Sequence, residues 1–229
     1  DWRGWAIRVD EDGAMHAEAA GLRSPCGVEM GPDGNLYYTD NQGEWCGASK
    51  MSIIERGDFH GHPWGIASTR RPESPVDFPG DIPDGIPMPE AAERIPDFKM
   101  PVVWFPYNKC GQSPGGVVWD VDCTLGPFFK GQAFMGDQHH AAVYRIFTEE
   151  VNGHVQGAVF PFRSGFECGI IRVEVGDGVR GRVERQAERE VRVVVPRRVD
   201  EERAVVGAAA RALLSGWQHT QPLCVPNGQ

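Results

Sequence analysis

The 229-residue sequence predicts an all-β chain assembled from repeated small antiparallel sheets. Three observations carry that expectation. Short runs rich in aromatic and β-branched residues are separated by Gly, Asp and Pro turn residues at roughly 8–12-residue spacing, the pattern of a sandwich, barrel or propeller. The order strand, aspartate, polar loop, strand occurs twice, over 36–55 and 134–147, and this weak internal repeat points to blade-type units. The 29 Gly and 18 Pro are scattered without a three-residue period, which excludes collagen and fits a turn-rich β chain.

The elements follow in order. Trp5 to Val9 alternates as a strand, and Asp12-Gly13 signals a hairpin turn. Cys26 to Met30 and Leu36 to Asp40 are strands flanking the turn Pro32-Asp33-Gly34-Asn35. Met51 to Glu55 is a fourth, stopped by Arg56-Gly57-Asp58. Residues 64–101 break the pattern with eight prolines; proline lacks the ladder donor, so this stretch is a long surface insertion, with one helical turn at most over Glu90 to Arg94. Strands resume at 102–105, 115–119, 132–137, 142–147 and 169–175. Residues 1–176 are therefore expected to form one body and 177–229 an atypical Arg- and Ala-rich tail, lysine-free as a shifted reading frame in GC-rich DNA would be, with a helix over 200–214.

The net charge is −9; residues 177–229 hold 9 Arg and 7 Asp or Glu, which leaves −11 on residues 1–176. An acidic body argues against nucleic acid and anionic membrane as partners, since both require a basic footprint. No apolar run approaches the ~18 residues of a membrane-spanning helix. The six cysteines have no zinc spacing; they read as buried free thiols, with Cys26 and Cys46, which flank one hairpin, as the first candidate disulfide.

Three ordered stretches, 21–27 (GLRSPCG), 31–37 (GPDGNLY) and 39–45 (TDNQGEW), resemble the propeller repeat of glucose/sorbosone dehydrogenase-like proteins, in the branch found in membrane-associated or haem-linked dehydrogenases of environmental bacteria. Residues 57–63, 113–116, 126–128, 131–132, 136–138 and 151–158 continue the likeness, which covers about residues 2–175. The resemblance implies a partial β-propeller, about three to four blades of a six-bladed ring. It also implies export to the periplasm or beyond, pyrroloquinoline quinone and Ca²⁺ at one mouth, a sugar-like alcohol as substrate, and further domains of a larger parent such as a haem domain. In the family's GxRNPxG motif the Arg-Asn pair approaches the cofactor; here it is Arg23-Ser24, so only Arg23 carries over. The family's base histidine lies upstream of the matched stretch, and no catalytic residue is assigned. A non-catalytic binding or scaffold propeller is the competing expectation, because one fold serves many functions.

The candidate site residues sit in two loops. Asp40 and Glu44 offer carboxylates to a hard cation, with Asn41 and Gln42 beside them for a cofactor; the same loop also reads as a turn in which Asp and Asn bond their own backbone. Arg23 suits a cofactor carboxylate through its planar fork, or else pairs with an aspartate of a neighbouring blade. Asp137 and Gln138, with His139, occupy the place equivalent to Asp40, Asn41 and Gln42 and form a second mouth-facing loop. His60-x-His62 and His139-His140 are the only histidine clusters, and Gly61 suggests a turn more than a chelating strand. Trp45, Trp64, Trp104, Phe128 and Phe129 read as packing.

Overall fold

The computed structural model describes residues 2–176 and 190–194. β1 (Trp5–Val9) and β2 (Met15–Ala20) form an antiparallel hairpin. A four-stranded antiparallel meander follows, ordered β3 (Pro25–Met30), β4 (Leu36–Asp40), β5 (Ser49–Ile53) and β6 (Val103–Phe105). A second has the same order: β7 (Pro114–Trp119), β8 (Ala133–Asp137), β9 (Ala142–Val151) and β10 (His154–Ser164). β11 (Arg172–Gly176) and β12 (Glu190–Val194) close the series as a two-stranded pair. The first strands of successive sheets, β3, β7 and β11, lie side by side, so each sheet is a blade that starts near a common line and runs outward.

The core is the set of layers between blades. Tyr37, Met51, Ile53, Val103 and Phe105 of the first meander meet Val117, Trp119, Met135, Tyr144 and Ile146 of the second, and the Tyr37 and Trp119 rings lie 4.9 Å apart. Phe134 and Val143 meet Ile170 and Val173 on the far side, with Phe129 and Phe162 packed against them. A third layer joins the β1–β2 hairpin to the insertion through Trp5, Ala17, Ala20, Phe59, Val76, Ala91 and Ile95. Residues 64–101 contain a 3-10 turn at Ile66–Arg70 and α1 (Met88–Arg94), which runs longer than the single turn expected.

The inner strands touch backbone to backbone. A Cβ on Gly115 would stand 2.5 Å from the carbonyl oxygen of Ile171 and 2.8 Å from that of Ile170. The Gly116 N–H donates to the Ile171 oxygen at 2.6 Å, and the buried Thr39 hydroxyl donates to the Gly115 oxygen at 2.8 Å. Only glycine admits this approach.

Several elements differ from the sequence expectation. β2 is Ala-rich and a poor strand former by composition, yet its backbone pairs with β1 and, at Ala20, with Phe59. β10 contains Pro161, which is tolerated because β10 is the outer edge of its blade. Asn152 and Gly153, with φ of 52° and 80°, make the tight turn into it. β12 falls inside the tail and continues the sheet of β11, while the expected helix over 200–214 lies outside the described residues. The Cys26–Cys46 disulfide is not made. Both are free thiols; Cys26 is exposed on β3 beside the amide of Gln138, and the Cys46 thiol turns to the Ala48 carbonyl. Cys168 is also exposed and Cys123 is disulfide-bonded, so the cysteines are not uniformly buried free thiols. Trp64 and Phe128 are exposed as well, against the packing roles expected of them.

Candidate functional site

Both polar loops hang from a buried aspartate. β4 ends at Asp40, whose carboxylate accepts the backbone N–H groups of Arg23 at 3.0 Å and Ser24 at 2.7 Å, the two residues that lead into β3. β8 ends at Asp137, whose carboxylate accepts the N–H groups of Gln112 and Ser113, the residues that lead into β7, at 3.1 and 3.3 Å. The two aspartates are thus the same device in successive blades. Each clamps the end of a second strand to the start of its first. Asp137 also accepts the N–H groups of His139 and His140 and the Nδ1 of His140 at 2.8 Å. Burial would raise its pKa, but the His140 side chain and these backbone donors more than offset that and hold the carboxyl below its ordinary value.

The remaining expected residues divide into two groups. Asn41 donates its side-chain amide to the Ser24 carbonyl at 2.9 Å, and Gln42 is tied to Ser49 through both its backbone N–H and its side-chain oxygen. These two hold the loop. Arg23 lies over Gly43, and its guanidinium stands 3.6 Å from the exposed Glu44 carboxylate. The Gln138 side-chain amide reaches across to the Cys26 sulfur at 3.6 Å and so bridges the two blades. Arg23 and Gln138 therefore keep donors that are not committed to the backbone. Asp40 and Glu44 are not joined by a third ligand: among the described residues no group of three or more His, Cys, Asp or Glu side chains is placed to hold a metal ion.

One residue of interest was not singled out alone by the sequence. The Nδ1 of His140 lies 2.8 Å from the Asp137 carboxylate; in the tautomer whose Nδ1–H donates to it, Nε2 is the acceptor nitrogen of an oriented imidazole. The doublet His139-His140 directly after Gly136-Asp137 was its signal.

Behind the first loop lies a polar set of a different kind. His60 is fully buried, its ring meets Tyr38 edge-on at 5.1 Å, and neither ring nitrogen has a hydrogen-bond partner. The buried Lys50 ammonium donates to the His60 carbonyl at 2.8 Å. Arg23, Asp40, Trp45, Lys50, His60 and His62 enclose a cavity of about 10 Å³, room for one water and not for a cofactor. Gly61, with φ of 95°, turns the chain so that His62 stacks on Trp64 instead of joining His60. Burial, then the charges of Lys50 and Lys99, push the His60 pKa far below its ordinary value. The sign follows: the unfolded chain binds a proton near pH ~6.5 that the folded chain refuses, so this histidine's contribution is intact above that pH and is lost as pH falls below it. His60→Phe, of similar shape and with no orphaned nitrogens, is expected to leave stability equal or higher at pH 7 and to flatten its decline between pH 6.5 and 5, read by urea unfolding. An unchanged pH slope would show that His60 protonates in the folded chain.

No family model and no curated protein matches the chain. Among solved structures it is similar to the PQQ-bound form of an aldose sugar dehydrogenase from Streptomyces coelicolor, at 14% identity and a TM-score of 0.50, covering 85% of this chain and 47% of that one. It is also similar to a Thermus thermophilus protein described as an oxidoreductase (glucose dehydrogenase), at 20% identity, a TM-score of 0.47, and 77% and 40% coverage. A glucose dehydrogenase follows at 17%, 0.46, and 78% and 42%. The chain spans less than half the length of each. Taken with the meander sheets and their adjoining inner strands, the likeness to the aldose sugar dehydrogenase identifies the fold as a β-propeller.

Proposed function

We propose that the chain supplies part of a quinone-dependent oxidoreductase propeller acting on sugar-like alcohols, exported from the cell, with residues 1–176 as the propeller body. The observation that supports this reading is the Asp137–His140 pair, next in the chain to Gln138, whose amide reaches Cys26 of the preceding blade. A carboxylate that fixes Nδ1 selects the tautomer whose Nε2 accepts a proton, and that is the arrangement of a general base for an alcohol hydroxyl.

Two residues carry uncommitted donors that would suit pyrroloquinoline quinone, an o-quinone with three carboxylates, at the surface outside the small cavity. Arg23 offers a guanidinium fork for one carboxylate, and Gln138 offers an amide. Asn41, Gln42 and Asp137 are already spent on the scaffold. When bound, such a group supplies the two-electron acceptor for the carbinol carbon. The chain's own part is to hold the alcohol hydroxyl near His140 Nε2 and take its proton. Ca²⁺ does not fit the described residues, because Asp40 is committed to Arg23 and Ser24 and Glu44 stands alone with Arg23.

The test is a thermal melt with pyrroloquinoline quinone. At a hundred times its dissociation constant, a ligand that binds only the folded chain adds about 2.7 kcal/mol. We expect an upward shift, a weaker one in Arg23→Ala, and an unaltered one in His140→Gln, whose dehydrogenation rate should fall about 10²-fold or more. A cooperative melt that does not move would replace this reading with that of a binding or scaffold propeller.

A further inference from the structure

The loop between β4 and β5 is anchored at its start, and its middle leans on the Pro-rich insertion. Asn41 and Gln42 tie the start to Ser24 and to Ser49, the first residue of β5. Residues 43–48 are closed on themselves: the Gly43 N–H donates to the Cys46 carbonyl at 2.7 Å, and the Cys46 thiol donates to the Ala48 carbonyl at 3.3 Å. Among the described residues, two side chains of this segment bond outside it. Glu44 meets Arg23 at 3.6 Å, and the Trp45 indole N–H donates to the Pro83 carbonyl at 2.8 Å. The second bond reaches 38 residues along the chain, into the insertion.

The Trp45 ring has a fixed seat. It meets Phe98 edge-on at 5.8 Å, and a Cβ on Gly61 would stand 2.2 Å from it, so glycine is what leaves the ring its place. Phe98 belongs to a stretch that is itself pinned by backbone. The Phe59 N–H donates to the Asp97 carbonyl and the Lys99 N–H to the Phe59 carbonyl, both at 2.8 Å. The other side of the turn carries Arg23. A Cβ on Gly43 would stand 2.7 Å from Arg23 Nε and 3.0 Å from its Cγ, so the arginine side chain rests directly on the backbone of this turn. Arg23, Gly43 and Trp45 line the same small cavity.

We infer that Trp45 is a positioning residue for Arg23: it carries the insertion's hold to the Gly43–Cys46 turn and so sets where the guanidinium fork points. The inference rests on the proposed role of Arg23 as the contact for a cofactor carboxylate. A ligand then meets a fork that is already placed, and less of the entropy of a long arginine side chain is lost on binding. His140 hangs from Asp137 in the next blade, so Trp45 acts on binding and not on proton removal.

Trp45→Phe keeps an aromatic ring against Phe98 and loses the N–H that reaches Pro83. In the full chain its dissociation constant for pyrroloquinoline quinone, read by titration calorimetry, is expected to rise about 3–10-fold, the worth of one neutral hydrogen bond. The rate of glucose oxidation at saturating quinone is expected to stay unchanged. Gly43→Ala, which pushes on the Arg23 side chain and leaves Trp45 untouched, should weaken binding in the same way. In an Arg23→Ala background Trp45→Phe should have no further effect on binding, because nothing is left to position. Losses that add in this cycle, or a fall in the saturated rate, would overturn the positioning role. If the wild-type chain binds no quinone, the proposed function fails, and hydrogen exchange decides separately whether Trp45 places the turn. In Trp45→Phe the Gly43 amide should then exchange faster by about the same factor while the amides of β4 and β5 are unchanged. An unaltered Gly43 amide would overturn the inference.

Discussion

Asp137→Ala is expected to destabilise the chain by about 3–5 kcal/mol, the range for breaking a fully buried charged group away from its partners. Four backbone N–H groups and one imidazole nitrogen converge on this carboxylate, and the side chain has no solvent exposure. Alanine would leave those donors buried with nothing to accept them, and each unsatisfied group costs about 1–3 kcal/mol before relaxation. With a urea slope of about 1–3 kcal/mol/M the midpoint should fall by roughly 2 M. Asp137→Asn keeps one acceptor oxygen and should recover part of the loss. A drop under about 1 kcal/mol would mean that water replaces the carboxylate and that the clamp is not what holds the loop. The pH dependence has a fixed sign. A carboxyl whose folded pKa lies below its unfolded value of about 3.9 gives stability that is complete above that pH and is lost as pH falls through the folded value. The alanine variant should lack that component of acid unfolding.

Gly115→Val is expected to cost about 3 kcal/mol or more, enough to abolish a cooperative melt in a marginally stable domain. The obstruction is backbone: the Ile170 and Ile171 carbonyls stand against the Cβ position, and the Gly115 carbonyl is itself held by the Thr39 hydroxyl. Overpacking against a flexible side chain can be absorbed by a rotamer change, but here β7 and the backbone leading into β11 would have to part. Gly34→Val serves as the comparison for glycine loss at a turn, since nothing lies within 4 Å of its Cβ position and only its positive φ is strained. If Gly115→Val proved no worse than Gly34→Val, the inner strands would be looser than their contact distances indicate.

The sequence made the first two strands of each blade legible because they carry their own signals. Leu36 to Asp40 and Ala133 to Asp137 are apolar runs closed by aspartate, and both lie where they were expected. The outer strands were harder to read. β2 has little intrinsic preference for a strand and is held by its neighbours, while β10 hides behind Gly157 and Pro161, although Asn152-Gly153 marked its turn. At the site, position was legible and role was not. Asp40 and Asp137 were identified as equivalent from the repeat, but whether a carboxylate turns outward to a ligand or inward to backbone N–H groups depends on where residues 23–24 and 112–113 lie, many positions away in the chain. His60 and Lys50 gave no sign of a shared buried layer, because it forms only when the turn at Gly61 folds back onto β4 and β5.

The insertion has a consequence for the order of assembly. β6 is the outer strand of the first blade, and its one sheet neighbour, β5, ends at Ile53, while β6 begins at Val103. The other hydrogen-bonded strand pairs inside the two complete blades are separated by 13 residues or fewer, against the 49 that lie between β5 and β6. Closing the first blade therefore carries a larger entropic barrier than closing the second, growing as about (3/2)RT ln n with loop length. The second blade is the natural nucleus, and the edge that β6 completes is the last rung of its ladder to form.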